Sequence, residues 1–167
     1  GLLTGRIFSI LGTILALSLI VGELIPTSHP VREYALQAVC SVHLRSLGTA
    51  MRTYASNYDN KYPTADKWCD LLLQHTKVSE NLFVCRGPFK KDGQKRCTYA
   101  INPNAEPNSP SDMVLLFETK DSWNQFGGPE ILNTEKHKGK GCCVLFNDGH
   151  VEFVNTERLG HLKWKVE

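Results

Sequence analysis

At 167 residues with 41% hydrophobic content, the chain is long enough for one domain with a true core plus an appendage. A formal charge of +2, with Lys and Arg scattered, excludes the strongly basic footprint of a nucleic-acid binder. The modest cluster Lys90, Lys91, Lys95 and Arg96 reads as a solvated loop.

The first predicted element is apolar. Residues 7–22, IFSILGTILALSLIVG, carry no charge, and Leu24 and Ile25 extend the run past Glu23. That span approaches the roughly 20 residues, about 30 Å of helix, that cross a bilayer core. Amides in hydrocarbon must bond within their own segment, so the run is predicted to be helical. A cleaved signal peptide has an apolar core of about 7–15 residues and a small-x-small cut site, and neither fits this run well. Residues 1–25 are therefore expected to form a single-pass anchor, with Glu23 at the water interface. Arg6 precedes the span, and basic residues tend to stay cytoplasmic. The N-terminus is expected on the cytoplasmic side of the inner membrane, and the rest in the periplasm or at the cell surface. Gly12 and Ala16 form a small-xxx-small pair that lets another helix approach closely.

Pro26 and Pro30 break or kink the chain, and a second helical pattern follows over residues 26–60. Leu36, Cys40, Leu44, Leu47, Met51, Tyr54 and Tyr58 recur at spacings of three and four, which makes one apolar stripe. Residues 61–167 are short-element and turn-rich. KWCDLLLQ predicts a brief helix. NLFVC, CTYAIN, MVLLFE, CCVLF and HVEFV predict strands. The NDG between the last two predicts a tight hairpin of type I′. The expected class is α+β: a long N-terminal helix, half anchor and half amphipathic, packed on a small antiparallel sheet in a β-rich globular domain.

Four stretches together resemble the type IV pilin-like proteins, in particular the planctomycete-type group named for a C-terminal His-x9-Asp-Gly motif. They are CSVHLRSLGTAMRTYASNYDNKYP (40–63), Trp68 with LFVC (82–85), TYAIN (98–102) and HKGKGCCVLFNDGHVEF (137–153). The resemblance implies a pilin-like fold, with His137, Asp148 and Gly149 as the motif residues. Two features depart from the pattern. Ten residues separate His137 from Asp148, and Gly5 followed by Arg6 stands where the pilin signature has Glu.

An exported head tolerates disulfides, and the even set Cys40, Cys69, Cys85, Cys97, Cys142 and Cys143 supplies candidates. Neighbours on a strand face opposite ways, so Cys142 and Cys143 are expected to point apart. Cys40 and Cys85 are candidates for tying helix to sheet, and Cys97 is a rival partner for Cys85. His137, Cys142, Cys143 and His150 are metal-ligand types without a recognised zinc spacing. Asp148 and His150, with Glu118 or Asp121, are weak candidates for holding a cation. His137 is expected to cap or bond a neighbouring loop. No nucleophile elbow, metalloprotease or phosphate-loop motif is present, so no catalytic or cofactor-binding residue is predicted.

Two functions fit. One is a non-catalytic pilin-like subunit whose N-terminal helix packs with like copies. The other is a single-pass accessory subunit of a larger membrane complex, respiratory or photosynthetic. Both name the membrane and other protein subunits as partners, and neither involves nucleic acid.

Overall fold

The structure, a computed structural model, describes residues 29–85, 90–91 and 93–166. The expected span at residues 7–25, with Gly12 and Ala16, lies outside them. Among the described residues no helix is long and apolar enough to cross a membrane. The chain divides into two units, Gly1–Tyr34 and Ala35–Glu167, and the second is described here.

Helix α1 runs His29–Asn57. Its stripe residues Cys40, Leu44, Leu47, Met51 and Tyr54 are buried, as the spacing predicts. Leu36 is half-buried and Tyr58 lies at the rim, where it stacks on Tyr54 and bonds His75. Two residues past the helix, Asp59 and Asn60 take positive φ and turn the chain away. Helix α2, Trp68–His75, follows a short 3-10 turn and buries Trp68, Cys69 and Leu72.

A two-stranded ribbon, β1 (Lys90–Lys91) with β2 (Gln94–Lys95), precedes the main sheet. The sheet itself holds β3 (Cys97–Ile101), β4 (Val114–Ser122), β5 (Gly141–Phe146) and β6 (Val151–Asn155). Its order is β3-β4-β5-β6 and every pairing is antiparallel. The class is therefore α+β. The predicted NLFVC strand is corrected: Glu80–Phe83 is a 3-10 turn that delivers Phe83, Val84 and Cys85 edge-on to the core.

The sheet is apolar on both faces, which explains why its strands read as continuous apolar runs. One face carries Tyr99, Ile101, Leu116, Cys143 and Leu145 in a cluster with the α1 stripe. A bulge between Val114 and Leu116 places both Leu115 and Leu116 in that cluster. Gly48 lets the helix close on β5, because a Cβ there would stand 2.8 Å from Leu145 Cδ2. The other face carries Ala100, Phe117, Cys142, Val144 and Val154 and is covered by Ile131, Leu132, Leu159, Leu162 and Trp164. Trp164 meets Phe117 edge-on at 4.8 Å, and Asn102 Nδ2 donates to the Trp164 carbonyl at 3.0 Å to hold the tail there.

The closing hairpin differs from the expected type I′ turn. Gly149 has φ of 93°, while neither Asn147 nor Asp148 has positive φ. Phe146 N–H donates to the His150 carbonyl, which leaves a three-residue Asn-Asp-Gly loop of the bulged kind. Asn147 is recruited elsewhere: it accepts from the Tyr62 hydroxyl and donates to the Ser109 carbonyl.

Candidate functional site

The register lays one row of side chains across the helix-facing side of the sheet. Tyr99 pairs with Glu118 across β3 and β4, and Cys143 pairs with Phe153 across β5 and β6. Cys143 N–H donates to Glu118 Oε2 at 2.6 Å and joins the two halves of the row. A carboxylate is thus embedded between aromatic and sulfur neighbours, where an unpaired charge would be very costly.

His137 supplies its partner. The local sequence NTEKHKG forms the 3-10 turn Glu135–His137, opened by an Asn133 side-chain bond to the Glu135 amide and closed by Lys138 in the left-handed region. That turn drives His137 inward. Its Nε2 lies 3.1 Å from Glu118 Oε2, and the two side chains are 1% and 0% exposed. The ring also stands edge-on to Phe153 at 5.2 Å. The expectation that His137 bonds a neighbouring loop is corrected: its partner lies on the central strand β4. Lys136, next to it, donates to the carbonyls of Thr98 and Thr119. Burial lowers the Lys136 pKa, and the charges of Glu118 and Asp121 partly restore it.

Sulfur chemistry surrounds this pair. Cys40 of α1 and Cys85 form a disulfide, with Cα atoms 5.2 Å apart. Both of its sulfurs lie within 4.8 Å of a Glu118 oxygen. Cys69, Cys97, Cys142 and Cys143 are buried thiols. Cys97 is not the partner of Cys85, which is bonded to Cys40; the Cys97 thiol donates to the Tyr99 carbonyl at 3.2 Å. Cys142 and Cys143 fall in the two opposite core clusters, as alternation requires. Burial, then the Glu118 charge, pushes the Cys143 thiol up to about 12. It is an inert thiol in this state.

Asp148 and His150 sit at the hairpin tip and serve each other. Asp148 Oδ1 accepts the His150 amide at 2.9 Å and contacts the His150 ring nitrogen at 2.6 Å. The backbone bond from His150 leads the lowering of the Asp148 pKa. The suggested cation cluster does not form. Glu118 is turned into the core, Asp121 pairs with Arg96 and Lys136, and Asp148 bonds Ser111 beside the opposite end of β4. The zinc-type set is likewise split, with Cys142 on the far face and His150 at the tip. His137 and Cys143 remain together and gain Glu118. The sequence signal for Glu118 is a single acid closing the apolar run MVLLF, which alternation alone does not mark as buried.

No family model, no curated protein and no solved structure matches this chain.

Proposed function

We propose that the chain is a non-catalytic, pilin-like structural subunit. The N-terminal apolar helix mediates assembly with like copies, and the globular head is carried outside the cytoplasm. The observation that carries this reading is a second apolar stripe on α1. Ala35, Ala38, Val39 and Val42 are exposed and recur at spacings of three and four. At 3.6 residues per turn they lie on the side of the helix opposite Cys40, Leu44 and Leu47. Beyond Arg45 the same side turns polar, with Ser46, Thr49 and Arg52. The helix thus offers one face to its own sheet and, over its first half only, another face to a neighbour. That half adjoins the uncharged run at residues 7–22 in sequence. The buried pair Glu118 and His137 fits a passive role, because both side chains are sealed in the core and bonded to each other.

A specific feature favours a second reading, the single-pass accessory subunit of a respiratory or photosynthetic complex. Arg6 directly precedes the uncharged run at residues 7–22. Arg6 inside a helical bundle would need a counter-charge, whereas in a bilayer it reaches the headgroups.

The test is Val39→Glu with Val42→Glu. The subunit reading predicts that the double variant no longer forms homomultimers while the thermal midpoint of the head is unchanged. Retention of homomultimers would remove the role assigned to this face.

A further inference from the structure

We infer that Glu118, His137 and Cys143 form a buried binding site for one divalent transition-metal ion of the zinc class. The inference stands on the head alone and does not depend on the assembly reading.

The donor set is the first ground. One imidazole nitrogen, one carboxylate oxygen and one sulfur lie within 4.8 Å of one another. Zinc bonds of about 2.0–2.3 Å place tetrahedral ligand atoms ~3.3–3.8 Å apart, so small side-chain shifts close the shell. A nitrogen–oxygen–sulfur set suits zinc-like ions and not calcium or magnesium, which take oxygen ligands.

The second ground is how the donors are held. Glu118 Oε2 accepts the Cys143 amide at 2.6 Å, which fixes the carboxylate, and His137 Nε2 lies within 3.1–3.3 Å of both carboxylate oxygens. Cys143 Sγ lies 3.7 Å from the Ser41 hydroxyl, which can donate to a thiolate there. Bonds of this kind orient ligands in metal sites.

The third ground is independent of the donors. The Tyr99 hydroxyl is fully buried and has no hydrogen-bond partner among the described residues. It belongs to the residue paired with Glu118 across the strands. An unsatisfied buried hydroxyl costs about 1–3 kcal/mol. A polar guest in this part of the core would offset that cost.

The test uses the full-length chain in detergent micelles with the Cys40–Cys85 bond intact. It is stripped with a chelator and then given Co2+ alone, either after folding or throughout refolding. The expected result is one ion per chain, with a sulfur-to-cobalt charge-transfer band and visible bands of a tetrahedral site, both erased by Zn2+. Cys143→Ser, nearly isosteric, should abolish the charge-transfer band with unchanged circular dichroism. Cys142→Ser, on the opposite sheet face, should bind as the parent does. Glu118→Gln and His137→Asn should weaken binding by more than the ~10–100-fold typical of outer-shell changes. If those two fail to fold, the Cys143→Ser and Cys142→Ser pair decides alone. No band under either loading, or equal behaviour of the two Ser variants, overturns the inference. Binding that appears only after reduction would assign the ion to Cys40 and Cys85 and overturn this ligand set.

Discussion

Asn124 and Asp70 are locked together across the head: Asn124 Nδ2 donates to Asp70 Oδ2 at 2.6 Å, while Asn124 Oδ1 accepts the Cys69 amide at 2.8 Å. Helix α2 has no side-chain cap of its own at Lys67. A loop residue distant in sequence, held at φ of 52°, therefore satisfies the open end of the helix. Asn124→Ala should lower stability by about 1 kcal/mol, as loss of a helix cap does. A denaturant titration checks this, and an unchanged midpoint would contradict it.

The same contact has a pH signature. Burial raises the Asp70 pKa, but bonds from Asn124, Lys95 and Trp123 more than offset it and leave the carboxyl below its usual value. A depressed acid contributes stability above the unfolded value of about 3.9, and that contribution is lost as pH falls through the folded value. The stability gap between the parent and Asp70→Asn should therefore be full at pH 6 and shrink below about pH 4. Asp70 is 43% exposed, so solvent screening keeps the gap under about 1 kcal/mol. Paired melts at several pH values read it, and a gap that widens in acid would refute the assignment.

The buried pair should behave differently from a surface one. Removing either partner strands the other in the core, at a cost of about 3–5 kcal/mol, whereas replacing both with apolar groups costs far less than the sum. Glu118→Leu, His137→Leu and the double variant form the cycle, measured by thermal or denaturant midpoints. Additive losses would mean that the two residues act separately.

The disulfide and the thiols make a chemical prediction. Peptide mapping without reductant should recover Cys40 joined to Cys85, and the four remaining cysteines should resist alkylation until the chain unfolds. The Cys40→Ala/Cys85→Ala variant should lose about 2–5 kcal/mol. Alkylation of Cys40 or Cys85 without reductant would show that the bridge does not form.

At the hairpin tip, a side chain on Gly149 would collide with the Arg52 guanidinium, and its φ of 93° strains any L residue. Gly149→Ala should cost about 1–2 kcal/mol for the backbone alone. Adding Arg52→Ala relieves the collision but not the strain, so a partial rescue is expected in melting experiments.

Local periodicity carried much of this fold. The α1 stripe follows from its three-and-four spacing, and the short helix at Trp68 and the four strands of the main sheet follow from local apolar runs bounded by turn residues. The divergence of Cys142 and Cys143 followed from strand alternation. What stayed hidden depends on partners remote in sequence. Cys85 meets Cys40 across 45 positions, and Glu118 meets His137 only because β4, β5 and the preceding turn converge. Phe83 and Val84 read as strand residues because they are apolar, yet it is a 3-10 turn that seats them. The hairpin type was missed because only Gly149 of the Asn-Asp-Gly loop takes positive φ, while the Asn147 side chain is bonded to Tyr62 and Ser109, remote in sequence.

Single cysteines placed at Gly12 or Ala16 of the full chain, oxidised in the native membrane and run on a reducing-versus-non-reducing gel, test the assembly account most directly. The account predicts a reductant-sensitive ladder of this chain joined to itself. A single adduct with an unrelated membrane protein, and no self-linked species, would contradict it.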